Sequence, residues 1–164
     1  MPENRFQMSL KPALQEKQYR LDDMMPIFRE KLAQGKTVRF YPKGTSMRPM
    51  LRQGIDSVVL APLPKKLKKY DLPLYQRDNG QYVLHRIVKA GDTYTCIGDN
   101  QFEYEYGVRH DQMIGLVTGF YRDQEYHSVW ELSHRTYRVL WHHSRTIRPK
   151  LRAVRAKLRS LIKK

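Results

Sequence analysis

Three short strings of this 164-residue chain carry side chains able to do acyl chemistry: Gly44-Thr45-Ser46-Met47-Arg48-Pro49-Met50-Leu51, Leu84-His85-Arg86-Ile87-Val88 and Ile97-Gly98-Asp99-Asn100. Ser46 stands between Gly44 and Pro49, a setting in which a tight backbone can hold a hydroxyl and neighbouring N–H groups outward. A serine hydroxyl is a weak nucleophile at neutral pH and needs a base to remove its proton. His85 is the candidate, set on a strand among Val83, Leu84 and Ile87, where a rigid sheet can aim the ring. His110 falls in a turn, and His127, His134, His142 and His143 fall in or near a basic C-terminal stretch. Each string alone has an ordinary structural reading as a turn or a packed histidine. In combination they supply a nucleophile, a base and a nearby carboxylate.

Such groups need elements to hold them. Leu21, Met24, Met25, Phe28 and Leu32 recur at helical spacing, with Asp22 and Asp23 in the first turn and Gly35 past the end, although Pro26 interrupts the pattern. After Gly35 the period changes to two, and short strands are expected at 37–41, 57–60, 72–75, 82–88, 93–97 and 113–121. Asp78-Asn79-Gly80 reads as the hairpin turn between two of them, because Asn-Gly readily takes positive φ. Helical spacing returns from about Val129 in two pieces separated near Pro149. Leu151, Val154, Leu158, Leu161 and Ile162 line one face of the second piece, a basic amphipathic helix. The organisation expected is an N-terminal helical segment (1–35), a β-domain (36–125) and a basic helical tail (126–164).

Charge and composition narrow the classes. Lys and Arg number 31 against 16 Asp and Glu, a net +15, and the stretch from 134 to 164 supplies +11 of it without one carboxylate. Such an excess favours phosphate-bearing or anionic-surface partners. No apolar run approaches the roughly 20 residues of a bilayer span, and the N-terminus lacks a secretory signal, so the expected location is cytoplasmic. Cys96 is the single cysteine, which excludes an internal disulfide and a cysteine-built metal site; no metal or other cofactor is expected.

The strings, in their order and spacing, resemble the S24/S26 peptidase group, specifically signal peptidase I in its Ser-His form. Ser46-Met47-Arg48-Pro49 matches the Ser-Met-x-Pro box, and Gly54-Ile55-Asp56-Ser57-Val58 resembles the Gly-Asp-x-Val that follows it. The segment 69–75 is similar to the next strand box, His85-Arg86-Ile87-Val88 matches the His-Arg box, and Gly98-Asp99-Asn100 matches the Gly-Asp-Asn box. Ile114-Gly115-Leu116-Val117 resembles the closing strand, so the likeness spans about Val38 to Tyr121. It implies a mainly β, signal peptidase/LexA-like fold, a partly open barrel of short strands. It also implies that Ser46 is the nucleophile and His85 the general base of a serine endopeptidase. The orienting acid implied is Glu105, where the family has Asp, with Asp99 in support; Glu103 and a direct role for Asp99 stay open. The nucleophile loop Gly44-Thr45-Ser46-Met47 would hold the substrate carbonyl. The Ser46 N–H would stabilise the oxyanion, since Gly44 has no hydroxyl where the family often places one and Thr45 stands one place away.

The resemblance implies a peptide or protein substrate, such as a leader or precursor peptide, cut after small residues. The family's membrane anchor has no counterpart, and a LexA-type self-cleavage is disfavoured because Ala90-Gly91 lies downstream of Ser46. For the tail, packing on the body competes with peripheral contact at the inner face of an anionic membrane, through Lys150, Arg152, Arg155 and Arg159 with Trp130, Tyr137 and Trp141 as interfacial anchors. Nucleic acid ranks below both. The alternative to an enzyme is a noncatalytic peptide-binding scaffold that keeps the fold.

Overall fold

The computed structural model describes residues 21–151, 153 and 154. Helix α1, Leu21–Ala33, buries Met25, Phe28 and Leu32. Pro26 lies inside it without ending it. Proline costs about 3 kcal/mol in a helix interior, whereas each large apolar side chain buried returns about 1.5–3 kcal/mol. Gly35 closes the helix at φ +75°, with its N–H on Leu32 O and the Lys36 N–H on Lys31 O. That pair of bonds is the Schellman arrangement, and it needs the left-handed conformation that glycine takes without strain.

The rest of the body is mainly β and antiparallel. β1 (Val38–Phe40), β2 (Ser57–Ala61), β8 (Met113–Arg122), β3 (Pro73–Gln76) and β4 (Tyr82–Leu84) follow one another across one sheet, with β9 (Glu125–Ser128) also on β8. β8 is long enough to pair β2 on one edge while β3 and then β9 share the other. β5 (Arg86–Ala90), β6 (Tyr94–Ile97) and β7 (Glu105–Val108) form a second sheet. The 78–80 turn joins β3 to β4 as expected, with Gly80 at φ +84° and the Arg77 N–H on Gln81 O. Val58, Leu60, Leu74, Val117 and Phe120 pack under α1, and Tyr75, Ile87, Cys96, Val108 and Met113 form a second cluster.

Two expectations are corrected. The single strand expected over 82–88 is two strands in different sheets, and His85 is the residue between them rather than a residue on a strand. β7 and β9 were not anticipated, because both are four residues long and mostly solvent-facing, which leaves no apolar alternation to read. The expected boundary at 125 falls on the first residue of β9, so pairing to β8 runs past it. Beyond lies α2, Leu132–His143, then a 3-10 turn, Ser144–Thr146, and a resumed helical turn from 148. No helix among the described residues is long and apolar enough to cross a membrane. Of the four expected anion contacts, Lys150 is exposed, whereas Arg152, Arg155 and Arg159 lie outside the described residues.

Candidate active site

The Ser46 loop is pinned from below. Met47, Met50 and Leu51 sink into the core, and the Leu51 N–H bonds to Met47 O, which leaves Ser46 half-buried at the surface. Gly44 turns the chain into the loop at φ +94°, a conformation that a side chain would strain. The loop at 98–101 lies directly on Ser46: the Asn100 N–H donates to Ser46 O at 2.7 Å. A Cβ added to Gly98 would stand 2.8 Å from that carbonyl and 3.0 Å from Ser46 Cβ. Only glycine allows so close an approach, which gives the Gly-Asp-Asn string a physical reason. Thr45 is exposed, and its carbonyl takes bonds from the Arg48 N–H and Asn100 Nδ2.

His85 is 1 % exposed at the junction of the two sheets. Its Nδ1 stands 2.7 Å from Glu105 Oε1, at the first residue of β7, so Glu105 and not Glu103 or Asp99 is the carboxylate beside the ring. Tyr75 Oη donates to Glu105 Oε2 at 2.9 Å, and Arg77 grips both carboxylate oxygens, with Nε on Oε2 at 2.8 Å. Burial alone would raise the Glu105 pKa, but the hydrogen bonds from Arg77, His85 and Tyr75 outweigh it and hold the carboxyl well below its ordinary range. An ionised carboxylate only accepts, so Nδ1 carries the proton and Nε2 of the neutral ring keeps its lone pair. That Nε2 is buried with no hydrogen-bond partner.

Ser46 and His85 line one cavity of about 290 Å³, together with Gly44, Thr45, Met47 and Gln101. No hydrogen bond joins Ser46 to His85 Nε2. Among the described residues the Ser46 N–H has no backbone acceptor, which leaves it available to an oxyanion. The single thiol is sealed away from the cavity: burial pushes the Cys96 pKa up to about 12, and the side chain has no exposure.

Asp99 stands elsewhere. Its oxygens take Arg86 Nε and Nη2, each at 2.8 Å, and Tyr137 Oη at 3.1 Å, in a pair 2–3 % exposed. It does not touch His85, and Glu103 is an exposed residue on the approach to β7. Asp99 bears on the site through its loop, which holds Ser46 O, rather than through the imidazole.

The residues that sequence reasoning missed are those that hold these groups. Arg77 came without a motif and Tyr75 only as the last residue of the 69–75 strand box, although their place on the β3 hairpin was readable. The C-terminal helix supplied others. Trp141 Nε1 donates to Asp99 O at 2.7 Å, Arg148 Nη1 to the same oxygen at 3.0 Å, and Arg145 Nη1 to Gln101 O at 2.7 Å. Arg145 and Arg148 are buried, with the Arg148 guanidinium 3.9 Å from the Trp141 ring centre. Tyr137 and Trp141, expected as interfacial anchors, are therefore turned onto the body. Among the described residues no group of three His, Cys, Asp or Glu side chains could hold a metal ion. No protein-family model, no curated protein and no solved structure matches the chain.

Proposed function

We propose that this chain is a serine endopeptidase of the Ser-His, signal peptidase-like type, acting on an extended leader or precursor peptide. One observation carries the reading: Glu105 sits 2.7 Å from His85 Nδ1 while His85, whose Nε2 is buried and unpartnered, lines the same cavity as Ser46. An acid, an imidazole of defined tautomer and a serine in one concavity are the parts of acyl transfer. Its finer fold assignment, the S24/S26 β-fold, is supported by the same arrangement: the serine loop follows β1, the histidine stands at the sheet junction and the Gly-Asp-Asn loop lies on the serine.

Ser46 Oγ attacks the scissile carbonyl carbon and its proton passes to His85 Nε2, Glu105 stabilising the imidazolium. The Ser46 N–H faces the oxyanion. Collapse expels the amine, which takes the proton from Nε2, and water repeats the cycle to free Ser46. The missing Ser46–His85 bond closes when substrate excludes water, as is common between apo and bound sites. β4 ends its sheet, and Tyr82, Val83 and Leu84 line the cavity, so its open edge offers a substrate strand backbone hydrogen bonds.

The test is labelling with a fluorophosphonate probe, plus cleavage of peptides with small residues one and three places before the cut. Both signals are expected from the native chain and lost in Ser46→Ala. A noncatalytic scaffold is the second reading, favoured by the open Ser46–His85 contact and by Gly44. Peptide binding with neither labelling nor cleavage would select it.

A further inference from the structure

The C-terminal helical segment has its polar side in and its apolar side out. His134, Tyr137, Trp141, Arg145 and Arg148 face the body, spaced three, four, four and three residues apart. On the opposite side Leu132, Leu140, Ile147, Leu151 and Val154 are each between 55 and 77 % exposed. A helix that needed only to pack on its own domain would have these residues exchanged, and large apolar side chains gathered in water on one side of a helical segment mark an interaction surface.

We infer that this outer face docks on an anionic lipid bilayer. The row is apolar, so its partner must offer apolar depth. Its surroundings are cationic: from Leu132 to Lys164 the sequence has 11 Lys and Arg and no carboxylate, with Arg135 and Lys150 exposed beside the row. A second copy would bring one positive stripe against another. A nucleic acid would match the charge and leave the apolar row wet. A bilayer with anionic headgroups satisfies both, leucines in the acyl boundary and cations among the phosphates. Trp130, 55 % exposed just before α2, adds an indole where membrane interfaces favour one. Because the inner face of the same helix holds the 98–101 loop, the docked protein carries that loop about one helix diameter, roughly 10 Å, from the headgroups. The inference does not require Ser46 to be catalytic.

Cosedimentation of the full chain with vesicles tests it, phosphatidylcholine alone against phosphatidylcholine with about 30 % phosphatidylglycerol, at about 0.1 M salt. At least ~10-fold stronger partitioning onto the anionic vesicles is expected, with a blue shift of tryptophan emission. The triple variant Leu140→Ser, Ile147→Ser, Leu151→Ser keeps the charge and is expected to lose ~10-fold or more of that binding with its melting temperature nearly unchanged. Should the triple variant unfold, the single Leu140→Ser is expected to lose ~3-fold. Equal partitioning onto both vesicles, or variants that bind like the native chain, would overturn the inference. So would a dimer in vesicle-free buffer that the triple variant dissolves, or tighter binding to a DNA oligonucleotide at the same salt.

Discussion

Two carboxylates in this molecule each receive a forked arginine, and their surroundings separate chemistry from architecture. Asp99 and Arg86 are sealed at 2–3 % exposure, with the Tyr137 hydroxyl donating a third bond to the carboxylate. Glu105 and Arg77 stand at 22 and 30 % exposure, and the free reach of that carboxylate goes to His85. A buried pair with every oxygen occupied can move no proton and serves to fix a loop. A partly exposed carboxylate, held ionised by an arginine and aimed at an imidazole, has the setting that the proposed hydrolase needs to steady a charge that forms and vanishes. Charge alone does not distinguish the two; solvent access and the third partner do.

The comparison can be broken most sharply at the reacting pair. Ser46→Ala and His85→Ala should each lower kcat/KM by at least ~10⁴-fold, and the double variant should be little worse than either; additive losses would mean that the two side chains do not act as a unit. Glu105→Gln keeps the size and a hydrogen bond but loses the charge, so kcat should fall by ~10²–10⁴-fold with little change in KM. Asp99→Asn should act the other way. It strands the Arg86 charge and should cost about 3–5 kcal/mol in urea unfolding, while the folded fraction keeps most of its turnover. A stable but inactive Asp99→Asn would return Asp99 to the reacting centre.

Two smaller effects concern the helix that holds the Asp99 loop. Burial lowers the His134 pKa to about 4, with the Arg86 charge adding to it. The unfolded chain takes up this proton near pH 6.5 and the folded chain only near 4, so stability is lost as pH falls across that window and levels off below it. The loss is at most about 3 kcal/mol, nearer 1 after solvent screening, and a His134→Gln variant should flatten the slope of melting temperature against pH there. Trp141→Phe removes the donor to Asp99 O and should cost about 1 kcal/mol of stability, with kcat in the folded fraction little changed, as for Asp99→Asn.

Much of this was legible in the one-dimensional pattern. Local rules dictated α1 with its Gly35 stop and the Asn79-Gly80 hairpin, because the turn residues are fixed by φ and not by distant contacts. The strings around Ser46 and Gly98 were readable for the same reason: each is a short backbone geometry that few residues permit. β7 escaped notice, and so the choice among Glu105, Glu103 and Asp99 could not be made from spacing.

The amino-acid order by itself determined which side chains have the chemistry of the proposed nucleophile, base and acid, where the chain turns, and that its charge gathers at one end. Only the tertiary structure decided that Glu105 reaches His85 while Asp99 is sealed against Arg86, that His85 stands where two sheets part, and that the C-terminal segment turns Arg145 and Arg148 inward. The physical reason is that those outcomes rest on contacts between distant segments. Burial and pairing set the role of a charged group there, and neither is encoded in its neighbours along the chain.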